Sequence, residues 1–219
     1  SLIRSARQKI AVIYQDDAFG KDGLRSAEAA LKQHGLKPVA IATVQRNSAQ
    51  INPALRVLEK AQPNAVIIIS TYVSSAALSK ALLQKNIKAR IMNVSFVGTR
   101  ALENSLPVGQ ANGIGVSQVV PFPWDRWIPV VADYQRLMRV NNSSARFGFT
   151  SLEGFMAARL MTEGIKKVQG PLTRESLIKS LKSINKVDLG GFQLDLSSNK
   201  KQASDYVELT FFGAQQWEP

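Results

Sequence analysis

The chain has 219 residues, 45% hydrophobic and 20% charged, enough for one large domain or two small lobes around a substantial core. It contains no cysteine, which excludes a disulfide scaffold, thiolate zinc sites and a cysteine nucleophile. Its formal charge is +12, yet the basic residues are scattered: Lys166-Lys167 and Lys200-Lys201 are the only adjacent pairs, and no basic-aromatic interleaving occurs, so nucleic acid is not an expected partner. No run approaches the roughly 18 apolar residues that a membrane-spanning helix needs. The first ten residues carry Arg4, Arg7 and Lys9 without the apolar stretch of a secretory signal, so any export signal is expected to have been removed or to lie outside this chain.

In chain order, residues 9–14 predict a buried strand and residues 23–35 an amphipathic helix with Leu24, Ala27, Ala30 and Leu31 inward, closed by His34-Gly35. A second strand is expected at 39–44. Asn52-Pro53 then predicts a helix start, with Asn as cap and Pro in the first turn, and Leu55, Leu58 and Ala61 facing inward. A third strand at 65–69, a helix at 74–85, a fourth strand at 90–94 and a fifth at 113–119 follow. This alternation implies an α/β fold, a parallel sheet with helices on both faces.

Pro121 and Pro123 break the rhythm and force an extended path, read as a crossing between lobes. Helices are expected at 127–140, 151–168 and 174–184, the last capped by Thr173. Wide apolar stripes on the first two, from Trp127 to Met138 and from Phe155 to Ile165, call for a sheet to cover them. Too few strands follow the crossing to supply one, so the second lobe is expected to be only part of an α/β lobe. Near the C-terminus, residues 192–196 and 206–212 are expected to be strands that pair through a turn at 197–200.

Catalytic chemistry is hard to assemble from these residues. His34 is the only histidine and sits at a predicted helix end, where solvent exposure explains it. No phosphate-binding loop, dinucleotide fingerprint or nucleophile elbow occurs, so no catalytic residue, metal or cofactor is expected and the protein is read as not an enzyme. Asp16-Asp17 stand together, but adjacent side chains at a strand end diverge, and one of them capping the next helix accounts for the pair as well as ligand contact does.

In open parallel sheets ligands lie beyond the carboxyl ends of the strands. Three such ends carry suggestive polar and aromatic side chains: Asp16, Asp17, Ala18, Phe19 and Gly20 after the first strand, Ser70, Thr71 and Tyr72 after the third, and residues 93–98 after the fourth, with Asn93, Ser95 and Phe96 among them. Aromatic walls from Phe19, Tyr72 and Phe96, with hydroxyls from Thr71 and Ser95, have the composition of a small-molecule cleft. Helix N-termini following these loops would favour a carboxylate on the ligand.

The segments IAVIYQDDAFG (residues 10–20), NVSFVG (93–98), QVVPFPWD (118–125), SLEGF (151–155) and DLGGF (188–192) resemble, in the same order, the type I periplasmic binding proteins of the leucine/isoleucine/valine-binding kind. The resemblance spans nearly the whole chain. It implies an extracytoplasmic solute-binding protein, periplasmic or secreted, whose two α/β lobes close on a hinge over an amino acid or related carboxylate and present it to the membrane permease of an ABC importer. It also implies that residues 1–119 form the ligand-binding second lobe, 120–200 the crossing and returning helices of an incomplete first lobe, and 201–219 a strand rejoining the second. A second crossing is expected around residues 195–204. The chain would then start where the second lobe starts. By the same resemblance Phe19, Thr71 and Tyr72 contact ligand, while Ser95 stands where amino-acid-binding members place an acid for the ligand ammonium. The same architecture also resembles the effector domains of sensors and transcriptional regulators, which is the alternative reading of function.

Overall fold

The computed structural model describes residues 2, 7–197 and 202–213. They form two compact units, one built from residues 1–118 and 209–219, the other from 119–208.

The first unit is a six-stranded sheet in the order β2-β1-β3-β4-β5-β8. Its strands are β1 (Ile10–Gln15), β2 (Ala40–Val44), β3 (Ala65–Ile69), β4 (Arg90–Asn93), β5 (Gly115–Gln118) and β8 (Glu208–Phe211). β1 pairs in parallel with β2 and β3, β3 with β4, and β4 with β5. The parallel α/β reading therefore stands. Residues alternate between faces: Ala11 and Ile13 of β1, with Val66 and Ile68 of β3, pack against Leu55 and Leu58 of α2 (Asn52–Ala61) and Ala76 and Leu82 of α3 (Tyr72–Gln84). Ile10 and Ala65 face the other way, toward Leu31 of α1 (Ala18–Lys32). Full burial of Ile13, Val66 and Ile68 contributes roughly 1.5–3 kcal/mol per side chain before entropy is charged against it.

Several boundaries differ from expectation, and each difference has a local cause. α1 starts at Ala18, five residues before the apolar periodicity does, because Asp17 is extended (φ −152°) and its carboxylate takes the Gly20 amide at 2.9 Å. Ala30 faces solvent and Leu31 alone of the expected inner set is fully buried, so α1 packs by a narrow stripe. Asn52 is the first helical residue of α2 rather than its cap; Ile51 takes that place, its carbonyl accepting from the Leu55 amide at 2.8 Å. α3 begins at Tyr72, so that residue stands on a helix and not in the preceding loop. A short helix α4 (Thr99–Asn104) follows β4; the sequence pattern did not single it out, since only Leu102 of it is buried.

In the second unit, α5 (Pro129–Asn141), α6 (Phe149–Lys166) and α7 (Arg174–Ser183) accompany a two-stranded antiparallel pair, β6 (Lys186–Asp188) and β7 (Gln193–Asp195). The strand at 193–195 therefore pairs with residues 186–188. It does not pair with the last strand, β8, which joins the other sheet beside β5. Paired glycines explain this: Gly190 (φ +102°) and Gly191 (φ +77°) make the tight turn between β6 and β7, their amides both donating to Asp188 Oδ1 at 2.8 and 2.6 Å. The expected turn at 197–200 falls mostly outside the described residues. Asp195 donates its amide to the Ala203 carbonyl at 2.8 Å, and the second unit extends to Glu208.

The expected α5 stripe divides. Val130, Val131 and Tyr134 are buried against Phe149, Leu152 and Met156 of α6, with Leu189 and Phe192 from the β6–β7 pair. Trp127 precedes the helix and is 86% exposed; Leu137, Met161 and Ile165 are also exposed. Arg159 of α6 ties the helices by donating to Asp133 of α5 at 2.6 Å, and α7 carries the expected Thr173 cap as a capping box with Ser176.

Gly20 is the tightest point near the sheet's carboxyl edge, since a Cβ there would lie 1.9 Å from the Gln15 carbonyl oxygen. Gly20→Ala must push α1 off the end of β1. It should cost about 1–3 kcal/mol, the usual range for overpacking, read as a lower urea midpoint at unchanged slope.

Candidate functional site

Every helix that follows a strand of the parallel sheet starts at the sheet's carboxyl edge, so the residues between them converge there. Gln15 ends β1 almost fully buried, at 1% exposure, and its side-chain amide donates to Asp17 Oδ2. Asp17 thereby accepts from both the Gly20 amide and Gln15. These bonds, the Gly20 amide first, hold its carboxyl below the ordinary aspartate value. Asp16 beside it pairs with Lys21 at 3.4 Å. The two carboxylates diverge: one is a helix cap, the other a surface ion pair.

Ala18 opens α1 at the surface and Phe19 follows it, 39% exposed. The Phe19 ring lies 4.5 Å from that of Phe96, tilted by 44°, and Phe96 is itself 47% exposed. Phe96 stands in a single 3-10 turn, Ser95–Val97, with Ser95 half-buried at its head. The structure thus brings the loops after β1 and β4 together through two aromatic rings that both remain open to solvent. Between β1 and β4 lies β3, whose exit carries Ser70, Thr71 and Tyr72. Tyr72 is 41% exposed on the first turn of α3. Thr71 caps α3 by position only: its side chain makes no cap bond, so the helix's first amides have no side-chain acceptor.

One observation separates this edge from the rest of the molecule. Among the described residues, the buried side-chain polar atoms without a hydrogen-bond partner are Gln15 Oε1, Ser70 Oγ, Thr71 Oγ1 and Asn93 Nδ2. All four stand at the carboxyl ends of β1, β3 and β4. Asn93 is held by its other atom, Oδ1 accepting from Ser75 Oγ at 2.6 Å. Each unpaired buried group costs on the order of 1–3 kcal/mol, so such a cluster serves something other than stability.

The periplasmic binding protein family model matches residues 2–211. The chain belongs to that family. It is 31% identical to a possible leucine/isoleucine/valine-binding protein from Rhodopirellula baltica SH 1, with a TM-score of 0.90 over 97% of this chain and 59% of that one. A substrate-binding periplasmic protein from Ralstonia solanacearum is 27% identical, with a TM-score of 0.88 over 97% and 61%. An extracellular ligand-binding receptor from Verminephrobacter eiseniae ef01-2 is 25% identical, with a TM-score of 0.79 over 97% and 61%. The chain thus spans about three fifths of the length of these solved relatives. No curated protein sequence is significantly similar to it.

Members of the periplasmic binding protein family are binding proteins rather than enzymes. Among the described residues no group of three or more histidines and carboxylates could hold a metal ion. Sequence reading placed Ser70 and Asn93 at this edge without giving either a role, and it missed Gln15. The only available signal was their place on or next to the last residue of an apolar strand, and the β1 strand was expected to stop one residue short of Gln15.

Asp17 supplies a pH test of this local architecture. Its folded pKa is depressed, so its contribution is present above the unfolded aspartate value near 3.9 and disappears as pH falls through the folded value. Asp17→Ala should melt below wild type at pH 7, and the gap should close as the pH is lowered below about 4.

Proposed function

We propose that this chain is the ligand-contacting part of an extracytoplasmic solute-binding protein, in which Phe19, Phe96 and Tyr72 receive the apolar body of a small organic carboxylate. The observation that carries the reading is the coincidence, at one sheet edge, of three exposed aromatic rings with the four unpartnered buried polar atoms. An apolar wall with a few orienting polar groups is what a small-molecule site requires. Thr71 and Ser95 supply hydroxyls, and the α3 N-terminus, without a side-chain cap, supplies amides and the positive end of a helix dipole for the carboxylate. Asp17 and Ala18 hold Phe19 in place at the start of α1.

The ligand class follows from charge. Asp17 is occupied by Gly20 and Gln15, Asp16 by Lys21, and Ser95 is neutral. Among the described residues, neither Asp16 nor Asp17 is left to receive an ammonium at the ring pair, so a carboxylate without an α-amino group fits better than a branched-chain amino acid. The relative from Rhodopirellula baltica is described as a possible leucine/isoleucine/valine-binding protein. On the present reading this chain shares that protein's fold and differs in what it holds.

The unit of residues 1–118 and 209–219 is assigned to the ligand-binding lobe and the unit of residues 119–208 to the crossing and returning helices. In the intact protein, hinge closure would trap the ligand and an ABC importer permease would accept it; family membership supports this assignment. A thermal-shift screen against amino acids, aromatic acids and short aliphatic carboxylates tests the ligand class, since binding to the native state raises the melting temperature. A shift confined to amino acids refutes the charge argument, and no shift with any class refutes the solute-binding reading. With the ligand found, Phe19→Ala or Tyr72→Ala should weaken binding by at least about tenfold, as expected for losing one buried aromatic contact. Unchanged affinity in both variants would remove the site from this edge.

A further inference from the structure

The opposite end of the same sheet carries a second cavity. It has a volume of about 310 Å³ and opens at the amino ends of β4 and β5, lined in part by Arg7, Lys88 and Arg90, by Gln110 and Asn112, and by Leu83 of α3. Among the described residues three cations face it and no carboxylate lines it. Parallel strands place their amino ends away from the edge that holds Phe19 and Phe96, so this cavity is separate from the site described above.

Helix capping does not explain the two basic groups nearest β4, Lys88 and Arg90. Helix C-termini collect cations, and α3 ends here, but its last carbonyls are already capped by backbone. The Lys85 amide donates to Ala81, Asn86 to Leu83 and Ile87 to Leu82, with Asn86 in the left-handed region at φ +53°. Lys88 is exposed and makes no ion pair among the described residues, and neither does Arg90. Arg90 is nevertheless fixed. One guanidinium nitrogen donates to the Gly113 carbonyl at 2.8 Å, and its carbon lies 5.6 Å from the centre of the Phe211 ring. That arrangement orients a planar, permanently charged group at the mouth of a cavity while leaving its other N–H groups to serve as donors.

We infer that this cavity is a second binding site, for a small organic dianion. Lys88 and Arg90 meet the two charges, and Gln110 and Asn112 stand where they can add hydrogen bonds. Leu83, Ile91 and Ile114 provide an apolar wall, and the volume falls at the lower end of small-molecule sites. A phosphate ester and a dicarboxylate share the chemistry that these residues recognise.

The test uses the full chain labelled with nitrogen-15, titrated separately with phenyl phosphate and with phthalate at low ionic strength. Saturable shifts at the amides of Ala89, Gly113 and Ile114 are expected with at least one probe. Lys88→Glu should weaken that binding about tenfold or more, while Lys179→Glu, the same charge change on exposed α7, should alter it less than about twofold. Saturation with phenyl phosphate alone assigns the site to phosphate esters, and with phthalate alone to dicarboxylates. Shifts that fail to saturate, or that both variants weaken equally, overturn the inference in favour of diffuse attraction to a basic surface. Phe19→Ala should leave these titrations unchanged, so the two sites can fail independently.

Discussion

Parallel pairing of β1, β3 and β4 in one register is the constraint from which the rest of the first unit follows. Tyr14 lies opposite Ile69 and Ile68 opposite Asn93, so the three chains leave the sheet at the same edge and within one residue of the same height. Each must turn back along the sheet through a helix, which brings three helix starts and three short exits to that edge. Gln15 and Ser70 are buried one residue past the Tyr14–Ile69 pair, Asn93 is buried opposite Ile68, and Phe19, Tyr72 and Phe96 follow them in the chain. A one-residue slip of β4 would put the Asn93 side chain on the other face, break its bond to Ser75 and separate Phe96 from Phe19. Site geometry here is a consequence of backbone hydrogen bonding, which loop sequence alone does not provide.

The parallel sheet and its strand positions were legible because full burial on both faces writes itself as short apolar runs, Ala65 to Ile69 above all. What resisted reading was local. The start of α1 is set by Asp17 and by the close approach of Gly20 to Gln15, neither of which leaves a periodic signal. The C-terminal strands were expected to pair with each other because they are neighbours in sequence. β7 instead pairs backward across the Gly190-Gly191 turn, and β8 crosses to the sheet of the first unit, a partner 90 residues away in the chain. Gln118 Nε2 donates to Thr210 at 3.0 Å across that pairing, a contact that no local pattern predicts.

For the candidate site, sequence position identified which residues gather and left open what each one does. Asp17 carries the clearest case. As an acid at a strand end it reads equally as a ligand partner or a helix cap, and its two hydrogen bonds place it as a cap. Tyr72 reads as a loop aromatic, yet the first turn of α3 holds its backbone, which limits the freedom that ligand binding would otherwise have to remove. Phe19 and Phe96 are pre-paired for the same reason: each anchors the other before any ligand arrives.

Charge makes a further connection between composition and sites. A net +12 raises the potential over the whole surface, which favours approach of anions generally and selects none of them. Selection requires fixed donors in a desolvated place. At the carboxyl edge the proposed donors are helix amides and hydroxyls, a field that would suit a single carboxylate with its apolar body against the rings. At the amino edge they are full cations, with Arg90 clamped by Gly113 and Phe211, a field matched to higher charge on a smaller body. On the proposed readings the two ends of one parallel sheet would meet different anions, because helix starts gather at one end while at the other the backbone caps α3 and Lys88 makes no ion pair among the described residues.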